Sequence, residues 1–198
     1  MKETERKKRI GFAVTGSFCT HRDALAELGK LAAGNGSGEW EFVPILSEHA
    51  GTWDTRFGTA ADLRRELTRI CGREPIDTVA EAERLGPADP LDLLLICPCT
   101  GNTLAKLANG ITDTTAAMAA KAHLRADRPL VIALASNDAM SANLCNIGTL
   151  LNRKNVYFVP MRQDDPARKP HSLVAAFGAV REALALAEEG KQMRPLFL

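Results

Sequence analysis

Asp92-Leu93-Leu94-Leu95-Ile96-Cys97 runs straight into Pro98-Cys99-Thr100-Gly101-Asn102-Thr103, and the join between these halves decides the fold. After Asp92 the first half is apolar at every position, without alternation, as a strand covered on both faces requires. The second half is built from small hydroxyl, amide and glycine residues. An amphipathic stretch from Asn102 to Asn109 follows, and Gly110 ends it. Strand, tight turn and helix in succession form the repeating unit of a parallel sheet.

The same unit recurs on both sides. Arg9 to Thr15 (RIGFAVT) is a buried-strand candidate, followed by a Gly16-Ser17 turn and a helical pattern from about Arg22 to Ala33. The glycine-rich Asn35 to Glu39 is a loop. Trp40 to Leu46 (WEFVPIL) is a second strand, in which Pro44 points to an edge or a bend. A polar loop then leads to a helix from about Thr59 to Cys71. Downstream, Thr114 to Leu124 reads as a helix, while Pro129 to Ala135 and Val156 to Pro160 read as strands with a helix between them. A last helix is predicted over Leu173 to Glu189. The expected fold is α/β, a Rossmann-like three-layer sandwich around a doubly wound parallel sheet.

Composition agrees with a single domain over residues 1–198, with residues 1–8 as a flexible lead. Of the 198 residues 45% are apolar and 25% charged, enough for a substantial core. Twenty-five Lys and Arg against 24 Asp and Glu leave a net charge of +1, and no basic run follows the opening KETERKKR, so no nucleic-acid partner is expected. No secretion signal and no apolar window of membrane-spanning length is evident, and the five cysteines are odd in number and scattered. A cytoplasmic protein with reduced thiols is the expectation.

In doubly wound sheets, ligands bind beyond the carboxyl ends of the strands. Four loops lie there: Thr15 to His21, Ser47 to Phe57, Pro98 to Thr103 and Ser136 to Asn146. Gly16 and Ser17 can present amide hydrogens and a hydroxyl to a phosphate, although a simple helix cap would use the same residues. The spacing is not G-x-G-x-x-G, so a dinucleotide fingerprint is absent. Thr100, Gly101, Asn102 and Thr103 form a second turn of the same kind, and two such turns on neighbouring strand ends point to one shared ligand. Cys97-x-Cys99 lacks metal-pair spacing and reads as buried packing; no metal site is expected. His21 and His49 fall on the ligand edge as weak acid–base candidates, with a surface location the favoured reading for all four histidines. No catalytic residue is identified. In Thr52-Trp53-Asp54-Thr55-Arg56-Phe57-Gly58, Arg56 either grips a substrate carboxylate or pairs internally with Asp54. Asn137 is placed to touch a ligand, and Asp138 reads as a helix-start residue.

With these residues in view, GFAVTGSFCT, PCTGNTLAKLANGITDT and ASNDAMSANLCNIGTLLNRKNVYFVP resemble the superfamily of homo-oligomeric flavin-containing cysteine decarboxylases. TWDTRFG, EAERLGPADPLD, MAAKAHLR and VPMRQDDPARKPHSL resemble its branch of bacterial dipicolinate synthase B subunits. The similarity runs from about Ile10 to the C-terminus. It implies FMN as cofactor, with Gly16, Ser17 and Ser47 at the phosphate. Thr100, Gly101, Asn102 and Thr103 would then lie along the ring or ribityl chain, with Asn137 and Met140 near the ring.

The resemblance further implies a sporulation role in the mother-cell cytoplasm and a separate A subunit as partner. Together the two would oxidise a small dihydrodipicolinate-level substrate from the lysine pathway, with NADP as final acceptor; Arg56 is the expected carboxylate clamp. A homo-oligomer, trimer or dodecamer, is also implied. Two departures from the superfamily pattern tell against decarboxylation: no histidine precedes the central strand, where AERLGPADPLD stands, and Ala135-Ser136-Asn137-Asp138-Ala139-Met140 replaces a P-x-M-N-x-x-M-W motif. A flavin-dependent decarboxylase or prenyl-flavin synthase, and a non-catalytic nucleotide-binding subunit, remain the alternatives.

Overall fold

A computed structural model describes residues 6–34 and 39–198. Residues 35–38 of the predicted loop at Asn35–Glu39, and most of the predicted flexible lead, fall outside that range. In chain order the elements are β1 (Lys8–Val14), α1 (His21–Ala33), β2 (Trp40–Leu46), α2 (Glu48–Thr52), α3 (Ala60–Cys71), α4 (Val79–Glu83), β3 (Leu93–Cys99) and α5 (Gly101–Asn109). Then come α6 (Thr115–Leu124), β4 (Leu130–Ser136), α7 (Leu144–Leu151), β5 (Val156–Phe158), β6 (Met161–Arg162), β7 (Leu173–Ala175) and α8 (Val180–Glu188). None of these helices is long and apolar enough to cross a membrane.

The parallel part of the sheet runs β2-β1-β3-β4-β5. Alternate residues of each strand feed two cores. Ile10, Phe12 and Val14 meet Leu28 and Leu31 of α1, Leu63 and Leu67 of α3, and Val180 and Leu184 of α8. Leu94 and Ile96 meet Leu104 and Leu107 of α5, Ala116 and Ala120 of α6, and Ile147 of α7 on the opposite face. Complete burial of one such side chain, Phe12 for example, contributes roughly 2–3 kcal/mol. The sheet is thus covered on both sides, which is why β3 and β4 carry no polar alternation.

Pro44 lies in the edge strand. Its carbonyl accepts from Ile76 N at 2.9 Å and Leu46 N donates to Ile76 O at 2.8 Å, so residues 44 and 46 turn their backbone groups away from β1. The amide that proline lacks therefore falls on the side where no strand pairs.

One expected element is wrong. The helix predicted from Leu173 begins only at Val180; Leu173–Ala175 is a strand that pairs antiparallel with both Met161–Arg162 and the end of β4. The apolar run Leu173-Val174-Ala175 fits either period over so few residues, and the sheet edge left open beyond β5's three residues decides for the strand. This small antiparallel arm extends the parallel sheet at its ligand end.

Candidate functional site

The strand order reverses between β1 and β3: from β1 the chain moves out to β2, and from β3 it moves out to β4 in the opposite direction. The loops after these two central strands therefore part, leaving a crevice between them. Thr15 holds its floor. Its hydroxyl donates to Pro98 O at 2.7 Å and accepts from Thr100 N at 3.0 Å. The side chain is 1% exposed, so these bonds are shielded from water and fix one loop against the other.

Above this floor lies a cavity of about 390 Å³, within the range of small-ligand sites. Gly16, Ser17, Thr100, Gly101, Asn102 and Asn137 all line it. Phe18, Phe57, Ala135 and Val174 supply apolar wall, and Asp138, Asp164 and Lys169 complete the polar rim.

Each turn adopts its shape for a local reason. Ser17 O accepts from Thr20 N at 3.0 Å and from the Thr20 hydroxyl at 2.9 Å, winding Phe18–Thr20 into a 3-10 turn that leads into α1. In the second turn the Thr100 side chain accepts from Thr103 N at 3.1 Å as the N-cap of α5. The amides of Gly101 and Asn102, first in α5, have no carbonyl within the helix to bond. Thr103 is buried behind Thr100 and bonds its hydroxyl at 3.0 Å.

Gly101 is required by packing against protein. A Cβ there would overlap Ser136 Oγ and come within 2.6 Å of Asn143 Nδ2 and 2.7 Å of Asp138 Oδ1. Gly16 differs: an added Cβ would meet nothing nearer than 3.6 Å. Asp138 is not the helix-start residue expected; it bonds Ser136 and takes a 2.9 Å bond from Asn143 Nδ2, and α7 starts six residues later, at Leu144.

Ser47 is buried at the end of β2 and Met140 packs against the core; neither lines the cavity. Arg56 sits at the tip of a tight turn closed by reciprocal Thr55–Gly58 backbone bonds of 3.0 and 3.1 Å. Its guanidinium lies 4.8 Å from the centre of the Phe57 ring. Asp54 does not pair with it, since its carboxylate instead accepts from Ala60 N at 3.0 Å, ahead of α3. Lys106, on α5, is engaged by Asp113.

Lys169 and Asp164 are additions from the tertiary structure. Their side chains pair at 2.7 Å and reach the cavity from the antiparallel arm. Nothing local in QDDPARKPH announces this, because the pattern of the arm's own residues points to a helix.

The cysteines of β3 are buried, and burial drives both thiols well above their ordinary range, so neither is a ready nucleophile. His21 is half-buried, with Nε2 donating to Thr15 O at 2.7 Å; burial lowers its pKa despite that bond, which keeps the ring neutral at pH 7. His123 is not at the surface. It is fully buried in α6, donating from Nε2 to Pro129 O at 2.8 Å, and burial brings its pKa down to about 4.

A family profile described as Flavoprotein matches residues 60–180. The chain is 38% identical to the B subunit of dipicolinate synthase from Bacillus subtilis (strain 168) over 191 residues, covering 96% of this chain and 94% of that one. A crystal structure of the B subunit of dipicolinate synthase from Bacillus halodurans superposes with a TM-score of 0.85 at 37% identity, covering 96% of each chain. A more distant likeness, in fold alone, is to Burkholderia xenovorans DmrB in complex with FMN, described as a cubic protein cage for redox transfer. It has a TM-score of 0.67 and 18% identity, covering 91% of this chain and 95% of that one.

Proposed function

This chain belongs to the flavoprotein family, and from that premise we propose that it binds FMN in the switch-point cavity and acts as the B subunit of a dipicolinate-forming oxidoreductase. The single observation that carries the reading is the pairing of two donor-rich turns, Gly16-Ser17 and Thr100-Gly101-Asn102, on one cavity.

The donor set fits a phosphate-bearing flavin. The Ser17 hydroxyl and the amides of Phe18 and Cys19 offer hydrogen bonds to a phosphate, and the free first-turn amides of α5 add the positive end of a helix dipole. Asn102 and Asn137 bring amide groups suited to the edge of a polar ring system, while Phe57, Ala135 and Val174 offer it apolar contact. Thr103 acts through Thr100, and Ser47 and Met140 receive no ligand contact in this scheme.

Aromatising a dihydropyridine dicarboxylate removes two electrons and two protons, with NADP as the final acceptor, leaving NADPH and a released proton. FMN, when bound, supplies a two-electron acceptor. Arg56 holds one substrate carboxylate at the rim, where its stacking on Phe57 limits the freedom lost on binding. The separate A subunit supplies the dinucleotide, and both work in the mother-cell cytoplasm during sporulation. Copies of this chain form a homo-oligomer, trimer or dodecamer.

The test is direct. Purified protein titrated with FMN should gain a bound-flavin absorbance spectrum at a stoichiometry of one per chain; folded protein that takes up none would overturn the cofactor assignment. Mixed with the A subunit, NADP and the lysine-pathway intermediate, it should form NADPH only when both proteins are present. Full rate from the A subunit alone would instead favour a non-catalytic role for this chain.

A further inference from the structure

Beside the cofactor cavity, and sharing the side chains of Phe18 and Phe57 with it, lies a second pocket of about 260 Å³. It is formed by the start of α1, by α2 and by the segment from Trp53 to Leu63 that leads into α3. Its aromatic groups are ordered against one another. The rings of Phe18 and Trp53 lie nearly parallel, 13° apart with centroids at 6.3 Å, and His49 packs on Trp53 at 4.3 Å. Yet Trp53 and Phe57 each remain 53% exposed, a cost in water that a ligand's ring would relieve.

The charges are unbalanced in one direction. The two acids of the lining, Asp62 and Glu66, are each neutralised on α3 itself, by Arg65 at 2.7 Å and Arg69 at 2.6 Å. Arg22, also in the lining, forms no ion pair among the described residues; neither does Arg56, which stands outside the lining but stacks on the lining residue Phe57. Flat aromatic walls with two uncommitted guanidinium groups suit a planar ring carrying carboxylates.

We infer that this aromatic pocket is the substrate-ring site, taking a planar six-membered ring with two carboxylates, one held by Arg56 and the other by Arg22. The inference rests on the function proposed above and adds where the substrate lies and which residues select it. The shared wall of Phe18 and Phe57 sets the ring beside the cofactor cavity while leaving that cavity's donor turns to the phosphate and the flavin.

Trp53 provides the readout. The chain has two tryptophans, so a Trp40→Phe protein carries one reporter, in the pocket. Pyridine-2,6-dicarboxylate should quench its fluorescence saturably. cis-Cyclohexane-1,3-dicarboxylate, equally charged but puckered, should bind at least about tenfold more weakly. Arg22→Ala should weaken the aromatic ligand about tenfold, the effect of losing one charge-assisted hydrogen bond, while Lys154→Ala on the far side leaves it unchanged. Circular dichroism establishes that each variant is folded, and Phe57→Ala, at an exposed position, gives a second way to weaken the stack. A folded protein with normal FMN uptake and no saturable quench overturns this inference and leaves the cofactor assignment standing. Quenching intact without FMN uptake does the reverse. Equal affinity for the flat and puckered ligands, or for wild type and Arg22→Ala, also overturns it.

Discussion

The hydroxyl of Thr15 and the amide of Thr100, 85 residues apart in sequence, meet at 3.0 Å, and this bond joins the two loops on which the candidate cofactor site is built. The same hydroxyl donates to Pro98 O, so one buried side chain serves both a donor and an acceptor of the neighbouring loop. Replacing it with an isosteric group tests how far the site depends on that joint.

Thr15→Val keeps the shape and removes both bonds, stranding the Thr100 amide. Stability should fall by about 1–3 kcal/mol, read as a lower urea midpoint with an unchanged slope. FMN affinity should fall as well, because the loops are no longer held in register.

The two turn glycines should behave differently. Gly101→Ala drives a methyl into the Ser136–Asp138–Asn143 cluster and should cost about 1–3 kcal/mol, seen as a lower melting temperature. Gly16→Ala meets only ordinary van der Waals contacts and should leave the melting temperature nearly unchanged. A large destabilisation by Gly16→Ala would contradict the spacing seen around it.

Asn102 and Lys106 lie one turn apart on α5, but only Asn102 lines the cavity, and Lys106 is committed to Asp113. Asn102→Ala should weaken FMN binding about tenfold, the worth of roughly one hydrogen bond. Lys106→Ala should leave it nearly unchanged. Equal effects in a flavin titration would displace the site from this end of α5.

His123 makes stability depend on acid. Its pKa is about 4 in the folded chain, against 6.5 for the ordinary side chain. Between those values the unfolded chain binds a proton that the native one refuses, so stability declines as pH falls through that window and levels off below it. The contribution is about 3 kcal/mol at full extent. In His123→Leu, Pro129 O still accepts from Leu94 N at 3.1 Å, and the dependence of urea stability between pH 6.5 and 4 should flatten.

Legibility in the sequence varies by element, for physical reasons. The strands at Arg9, Trp40, Asp92 and Pro129 are long apolar runs with turns after them, and their burial on both faces writes itself into composition. Helices α3, α5 and α6 carry their own caps in Thr59, Thr100 and Thr114, and Gly72 and Gly110 end α3 and α5 in the left-handed conformation. The strand Leu173–Ala175 is illegible because three residues carry no period. The buried location of His123 is likewise hidden, because a lone histidine among alanines does not say which face of a helix is covered.

By itself the sequence determined the α/β class, the central strands and the two turns that open onto the ligand edge, since each depends on contacts close along the chain or on unbroken apolarity. Tertiary structure alone decided what those turns work with. Thr15 reaches Thr100 because strand order places β1 beside β3. Lys169 and Asp164 reach the cavity because an antiparallel arm folds back over it. Phe57 comes to stand between two pockets, with Arg56 over its ring, because a tight turn at Thr55–Gly58 closes beside α1. Apart from the Thr55–Gly58 turn and the Arg56–Phe57 stack within it, these contacts join residues far apart in the chain and are specified by the packing of whole elements, not by any local pattern.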